Sequence, residues 1–162
     1  MAEHIADTSA LSYLFRADAL DLLRLLFGTI LVPTDVEAEL RVGSEQGYSL
    51  PDPLAYSWMN LRDASPPPPR LPKLGRGESA VIGLAVELSA KGTAVTVILD
   101  DKPARRAAET LGIHCIGTLS VIARAKQLGH IPAARPVIEK MINLGFRAAP
   151  DLVRHVLARV GE

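Results

Sequence analysis

Four acids far apart in the chain could work as one centre: Asp7, Glu39, Glu78, and one or both of the neighbours Asp100 and Asp101. Asp7 follows the apolar His4-Ile5-Ala6, and Asp100-Asp101 ends the apolar Val95-Thr96-Val97-Ile98-Leu99. Glu78 opens the helical run Ser79-Ala80-Val81-Ile82. Carboxylates brought close together repel and raise one another's pKa. A divalent cation relieves that repulsion, and magnesium and manganese prefer oxygen ligands. Such an ion also lowers the pKa of bound water and stabilises charge on a phosphate under in-line attack. Each acid alone has a plainer use. Asp7 or Asp100 would serve as a helix cap, Glu78 would complement a helix dipole, and Glu39 would sit on a solvated face. Their shared position at strand and helix ends favours the metal-binding reading.

The elements that must position them can be read in order. His4 to Ala6 is a short strand, and Thr8 or Ser9 caps a helix running to about Phe15. The leucines from Leu20 to Leu26 make a second helix that Gly28 ends. Ile30-Leu31-Val32 is a second strand, and Thr34 with Glu37 forms a capping box on a helix carrying Val36, Glu39 and Leu40. Residues 43–53 read as loop, and 54–61 fit neither helix nor strand clearly. Ser65-Pro66-Pro67-Pro68-Pro69 is a polyproline crossover on the surface. Beyond it the pattern is regular: helix 79–90, strand 95–99, helix 103–111, strand 114–116 and helix 118–128. The tail holds two more helices separated by Gly145. Strands alternating with helices predict a mostly parallel sheet with helices on both faces. In such sheets the carboxyl ends of strands and the amino ends of helices share one crevice.

Composition narrows the function. The 162 residues fit a single domain, and 48% hydrophobic content is enough for a full core. Eighteen basic residues balance eighteen acidic ones, so nucleic-acid binding must come from local patches. Such patches exist: Arg70, Lys73 and Arg76 precede Glu78, and Lys102, Arg105 and Arg106 follow Asp101. Basic residues around a metal site suit contact with phosphate. The lone Cys115 excludes an internal disulfide and reads as a strand thiol in a reducing, cytoplasmic setting. No signal peptide or membrane-length apolar run is visible, so the expectation is a soluble protein with no membrane partner. His4, His114, His130 and His155 lack ligand spacing, and neither a Gly-x-Ser-x-Gly elbow nor a P-loop occurs.

The ordered set Asp7-Thr8-Ser9, Val32-Pro33-x-x-Val36-x-x-Glu39-Leu40, Gly77-Glu78-Ser79-Ala80-Val81-Ile82 and Leu99-Asp100-Asp101-Lys102 resembles the PIN-domain superfamily of metal-dependent nucleases. The stretch 100–112, with Gly117-Thr118, Ala125-Lys126 and Gly129, is similar to a prokaryotic PIN-related family allied to the VapC-like toxins. The resemblance spans nearly the whole chain, and implies one PIN-like domain over 1–162: a three-layer α/β/α fold with a central, mostly parallel sheet. It implies a magnesium- or manganese-dependent ribonuclease whose acids fall on Asp7, Glu39, Glu78 and Asp101. Asp100 stays open as the alternative to Asp101, because Leu99 stands where the family usually has Thr. Ser9 matches a hydroxyl that supports the first acid, and Arg105 a basic position of the narrower family; Arg76 and Lys102 are further RNA-contacting candidates. The same resemblance implies a homodimer and a small antitoxin protein as partner. Two alternatives stand beside it: a magnesium-binding, receiver-like regulatory module, and a PIN scaffold without activity. A receiver would show an acidic pair after the first strand and a Lys ending a late strand; Asp7 is single, and no Lys ends 114–116.

Overall fold

The computed structural model describes residues 2–162. Its short strands are β1 (Glu3–Ala6), β2 (Ile30–Pro33), β3 (Met59–Arg62), β4 (Val95–Ile98) and β5 (His114–Ile116). They form one parallel sheet in the order β3-β2-β1-β4-β5. Every residue of β2 is buried, as expected for a parallel strand covered on both faces. The chain winds outward from β1 in both directions, so the order reverses between β1 and β4, with Ala6 opposite Ile98.

Among the described residues, eight helices complete the three-layer fold: α1 (Thr8–Arg16), α2 (Asp21–Phe27), α3 (Thr34–Glu45), α4 (Arg76–Ala90), α5 (Lys102–Thr110), α6 (Thr118–Gln127), α7 (Arg135–Asn143) and α8 (Pro150–Arg159). The largely apolar α4 packs across β1, β2 and β4, beside α3 and α5. On α6, Leu119, Val121, Ile122 and Ala125 are buried, and the helix packs against α2, α7 and α8. Among the described residues, no helix is long and apolar enough to cross a membrane.

Several local expectations are corrected. Of the caps offered for α1, the structure uses Asp7 and not Thr8 or Ser9: the Asp7 carboxylate accepts from the Ala10 N–H. Thr34 forms no capping box; its hydroxyl donates to Asp63 at 3.1 Å, a partner 29 residues away. The α3 helix runs on through Gly43 to Glu45, shortening the expected loop. The ambiguous stretch divides into a 3-10 turn at Pro53–Ala55 and the edge strand β3, where exposed Asn60 and Arg62 alternate with Met59 and Leu61. The α4 helix starts at Arg76, three residues early, because Gly75 and Glu78 close its first turn. In the leucine-rich α1–α2 segment, Leu11, Leu14, Leu22 and Leu23 are consumed by the chain's own core, and Leu25 is left 42% exposed.

Candidate active site

Asp7 and Thr118 are the buried polar residues among the described residues, and both stand at the carboxyl edge of the sheet. Asp7 directly follows β1 and is only 2% exposed. Its Oδ1 accepts from the Ala10 N–H at 2.8 Å. Burial pushes its carboxyl from an ordinary 3.8 up to about 8; the Ala10 bond works against this, while the charges of Asp100, Glu78 and Glu39 add to it. The site therefore holds an acid that keeps its proton at neutral pH unless a cation takes its place.

Asp100 and Asp101 separate at the end of β4. Asp100 turns inward and accepts from the Thr118 N–H at 2.8 Å and from the Thr118 hydroxyl. Burial raises its pKa, and the two Thr118 bonds and nearby Arg105 oppose the rise. Asp101 stays exposed and caps α5 through the Ala104 N–H at 3.1 Å. Glu78 folds back over the start of α4, where its Oε2 accepts from the Gly75 N–H at 2.9 Å. Its pKa is raised by burial, against that bond, with Asp101 and Glu39 adding to the rise.

Glu39 reaches the site from α3, across the first turn of α4. The approach is close: a Cβ at position 77 would overlap Glu39 Oε1, the free end of a side chain that can move aside, and stand 3.0 Å from Thr8 Oγ1. That Thr8 hydroxyl is buried and has no hydrogen-bond partner among the described residues.

Two cavities carry these groups. One, of about 350 Å³, is lined by Asp7, Glu39 and Glu78, with Thr8, Tyr13 and Arg16. The second, of about 480 Å³, is lined by Glu78, Asp100 and Asp101, with Tyr13, Lys102 and Arg147. Ser9, Tyr13 and Glu78 border both, so the two are lobes of one cleft. The acids surround the cleft and do not meet at a point: among the described residues, no three Asp, Glu, His or Cys side chains stand together as a ligand group. The donor chemistry still fits a hard cation, since all the acids offer oxygen and an unpaired buried hydroxyl lies beside them.

The other expected residues divide. Ser9 is exposed and borders both lobes. Lys102 lines the second lobe. Arg76 lies outside both lobes, paired with Asp35 at 2.9 Å. Arg105 turns back to donate to the Leu99 carbonyl at 2.9 Å. Sequence reasoning missed Tyr13, Arg16, Phe146 and Arg147. The first two share the cleft side of α1 with Ser9, at the three- and four-residue spacing of a helix face. The last two arrive on the turn after α7, and nothing local in the sequence points there.

A family model described as DUF3368, a PIN domain, matches residues 3–162. No curated protein matches the sequence. Among solved structures, the chain is similar to a PilT N-terminus domain protein from the hyperthermophilic archaeon Sulfolobus solfataricus P2. The TM-score is 0.55 and the identity 21%, covering 77% of this chain and 93% of that one. At that identity the likeness speaks for the fold.

Proposed function

The chain belongs to the PIN-domain family, and from that premise we propose that it is a ribonuclease dependent on magnesium or manganese. One observation carries the reading. Asp7 is buried at the point where strand order reverses, with one hydrogen bond from its own chain and three other acids close enough to raise its pKa. Ligands of open α/β sheets bind at such a crevice.

Asp7, Glu39, Glu78 and Asp101 would hold the cation, with Asp100 as the alternative to Asp101 and Ser9 beside Asp7. A bound cation would supply a water of lowered pKa and positive charge for the phosphate. The chain's own groups do the rest. The amino ends of α1, α4, α5 and α6 all meet this edge, where Asp7, Glu78, Asp101 and Asp100 already accept from their N–H groups, and helix amino ends favour those acids in the ionised form a cation needs. Lys102 adds a positive side chain at the cleft. Water adds to phosphorus, the bond to the ribose oxygen breaks, and that oxygen leaves with a proton.

The test is total RNA incubated with the purified protein in magnesium, manganese or chelator. Metal-dependent cleavage that Asp7→Asn abolishes is the expected result; cleavage indifferent to both would sink the assignment. We propose further that the protein is a homodimeric toxin held by a small antitoxin, which would cover the acidic cleft. Expression alone should slow growth, Asp7→Asn should not, and the adjacent small reading frame should restore growth. Harmless high-level expression of the wild type would remove the toxin role and leave the nuclease reading standing.

A further inference from the structure

We infer that Tyr13 is the platform on which the substrate stacks an unpaired base at one fixed position; this rests on the nuclease reading above. Tyr13 is half-buried on α1 and borders both lobes of the cleft. Phe146 holds it edge-on, with ring centroids 5.3 Å apart and planes at 76°. The turn that delivers Phe146 depends on Gly145, whose φ of +103° suits glycine and where a Cβ would stand 3.7 Å from the Tyr13 hydroxyl. The ring is therefore set in place rather than left to swing.

Cations lie on either side of it. Arg16 lines the lobe of Asp7 and Glu39; Lys102 and Arg147 line the lobe of Asp100 and Asp101. None of the three forms an ion pair among the described residues, whereas Arg76 and Lys140 do. An aromatic ring between free cations matches the chemistry of single-strand binding, in which bases stack on aromatic faces and cations follow the backbone. Base-paired RNA keeps its bases stacked on one another and has none to offer the ring.

The experiment is an abasic scan. Short single-stranded RNAs, each lacking one base, are measured for binding by fluorescence anisotropy in chelator and for cleavage in magnesium or manganese. For the wild type, removing one particular base should weaken binding about tenfold, the size of a lost base–aromatic stack. Tyr13→Leu should bind intact RNA as weakly as the wild type binds that abasic RNA, and the abasic RNA no worse. Its KM should rise more than its kcat falls, and Tyr13→Phe should restore binding. Arg147→Ala should weaken intact and abasic RNA alike. Tyr13→Met replaces the leucine variant if that one fails to melt cooperatively. A scan with no sensitive position, or one unchanged in Tyr13→Leu, overturns the inference. RNA bound with the expected pattern but never cut would remove the nuclease reading and leave the stacking role. RNA that does not bind under any condition overturns both.

Discussion

Asp7 and Asp101 hold matching places after two neighbouring parallel strands, yet they are different chemical groups. Each caps the helix that follows, through the N–H three residues on, at 2.8 and 3.1 Å. Asp7 comes directly after β1, inside the sheet edge, and is 2% exposed. Between β4 and Asp101 stand Leu99 and Asp100, so the cap falls further out and is exposed. Asp100 takes the inner position instead, and two donors of Thr118 satisfy it there. Asp100, with two donors and a nearby Arg105, has its charge partly compensated by the protein, although burial still raises its pKa. Asp7, with one donor and three acidic neighbours, is less compensated, and a bound cation would supply what is lacking.

Asp7→Asn tests the comparison most severely, because it should separate activity from stability. Loss of the charge should cost on the order of 100-fold or more in cleavage rate. Asp101→Asn should cost less, about tenfold, since that carboxylate is exposed and served by solvent. Equal losses at the two positions would mean that the buried and the exposed carboxylate do the same work. Stability should move the other way. The folded pKa of Asp7, about 8, lies above its ordinary 3.8, so between those values the folded state binds more protons than the unfolded state. The contribution of Asp7 to the stability of the metal-free protein should then be full below about pH 4 and be lost as pH rises to about 8. The raised pKa values of Glu78 and Asp100 act in the same direction. In chelator at pH 8, Asp7→Asn should be the more stable protein by a few kcal/mol, because asparagine keeps the cap and removes the buried charge. Urea melts at pH 5 and pH 8 measure the difference. His4, whose pKa burial lowers, gains stability over the same range, so the comparison is with Asp7→Asn: a wild type that loses nothing relative to that variant between pH 5 and pH 8 would show Asp7 to be compensated already.

The contrast between the two caps could be read only in part from the sequence. Asp7 stood out because a single acid follows a short apolar strand, and the Asp100-Asp101 pair because a longer one precedes it. Which of the pair faces inward is decided by Thr118, eighteen residues on, and no local pattern states that pairing. The helices were legible from leucine and alanine spacing, and the parallel sheet from the alternation. The edge strand β3 was not, because an edge strand needs only one buried face and Asn60 and Arg62 occupy the other side. Tyr13 and Phe146 were invisible as partners for a different reason: α1 and the turn after α7 meet only through tertiary packing.

Thr118→Val sharpens the contrast from the other side. It preserves shape and the backbone donor but removes the hydroxyl that Asp100 accepts from. A hydrogen bond to a charged group is worth about 1.5–3 kcal/mol, so stability at pH 7 should fall by roughly that amount. The pKa of Asp100, already raised, should rise further and become more like that of Asp7. The loss should shrink on acidification, since a protonated carboxyl depends less on the hydroxyl. A substitution that is harmless at pH 7 would mean that Thr118 does not compensate Asp100.

Gly77→Ala should have the smallest effect on stability and serves to place Glu39 on one side of the comparison. A methyl group at position 77 would meet the end of the Glu39 side chain and the Thr8 hydroxyl, not backbone. Glu39 is exposed and flexible, so it can swing away at little cost. Alanine is also the better helix former by up to about 1 kcal/mol. The variant should therefore melt within about 1 kcal/mol of the wild type, on either side. If Glu39 belongs with Asp7 as a cation ligand, displacing it should lower cleavage and raise the magnesium concentration needed for half-maximal rate. Excess metal should recover part of the loss, because the other acids remain in place. If Glu39 is only a solvated acid on α3, the variant should cleave like the wild type at every metal concentration. A magnesium titration of both proteins therefore decides whether the centre extends from the sheet edge to α3 or ends at the strand-end acids and Glu78.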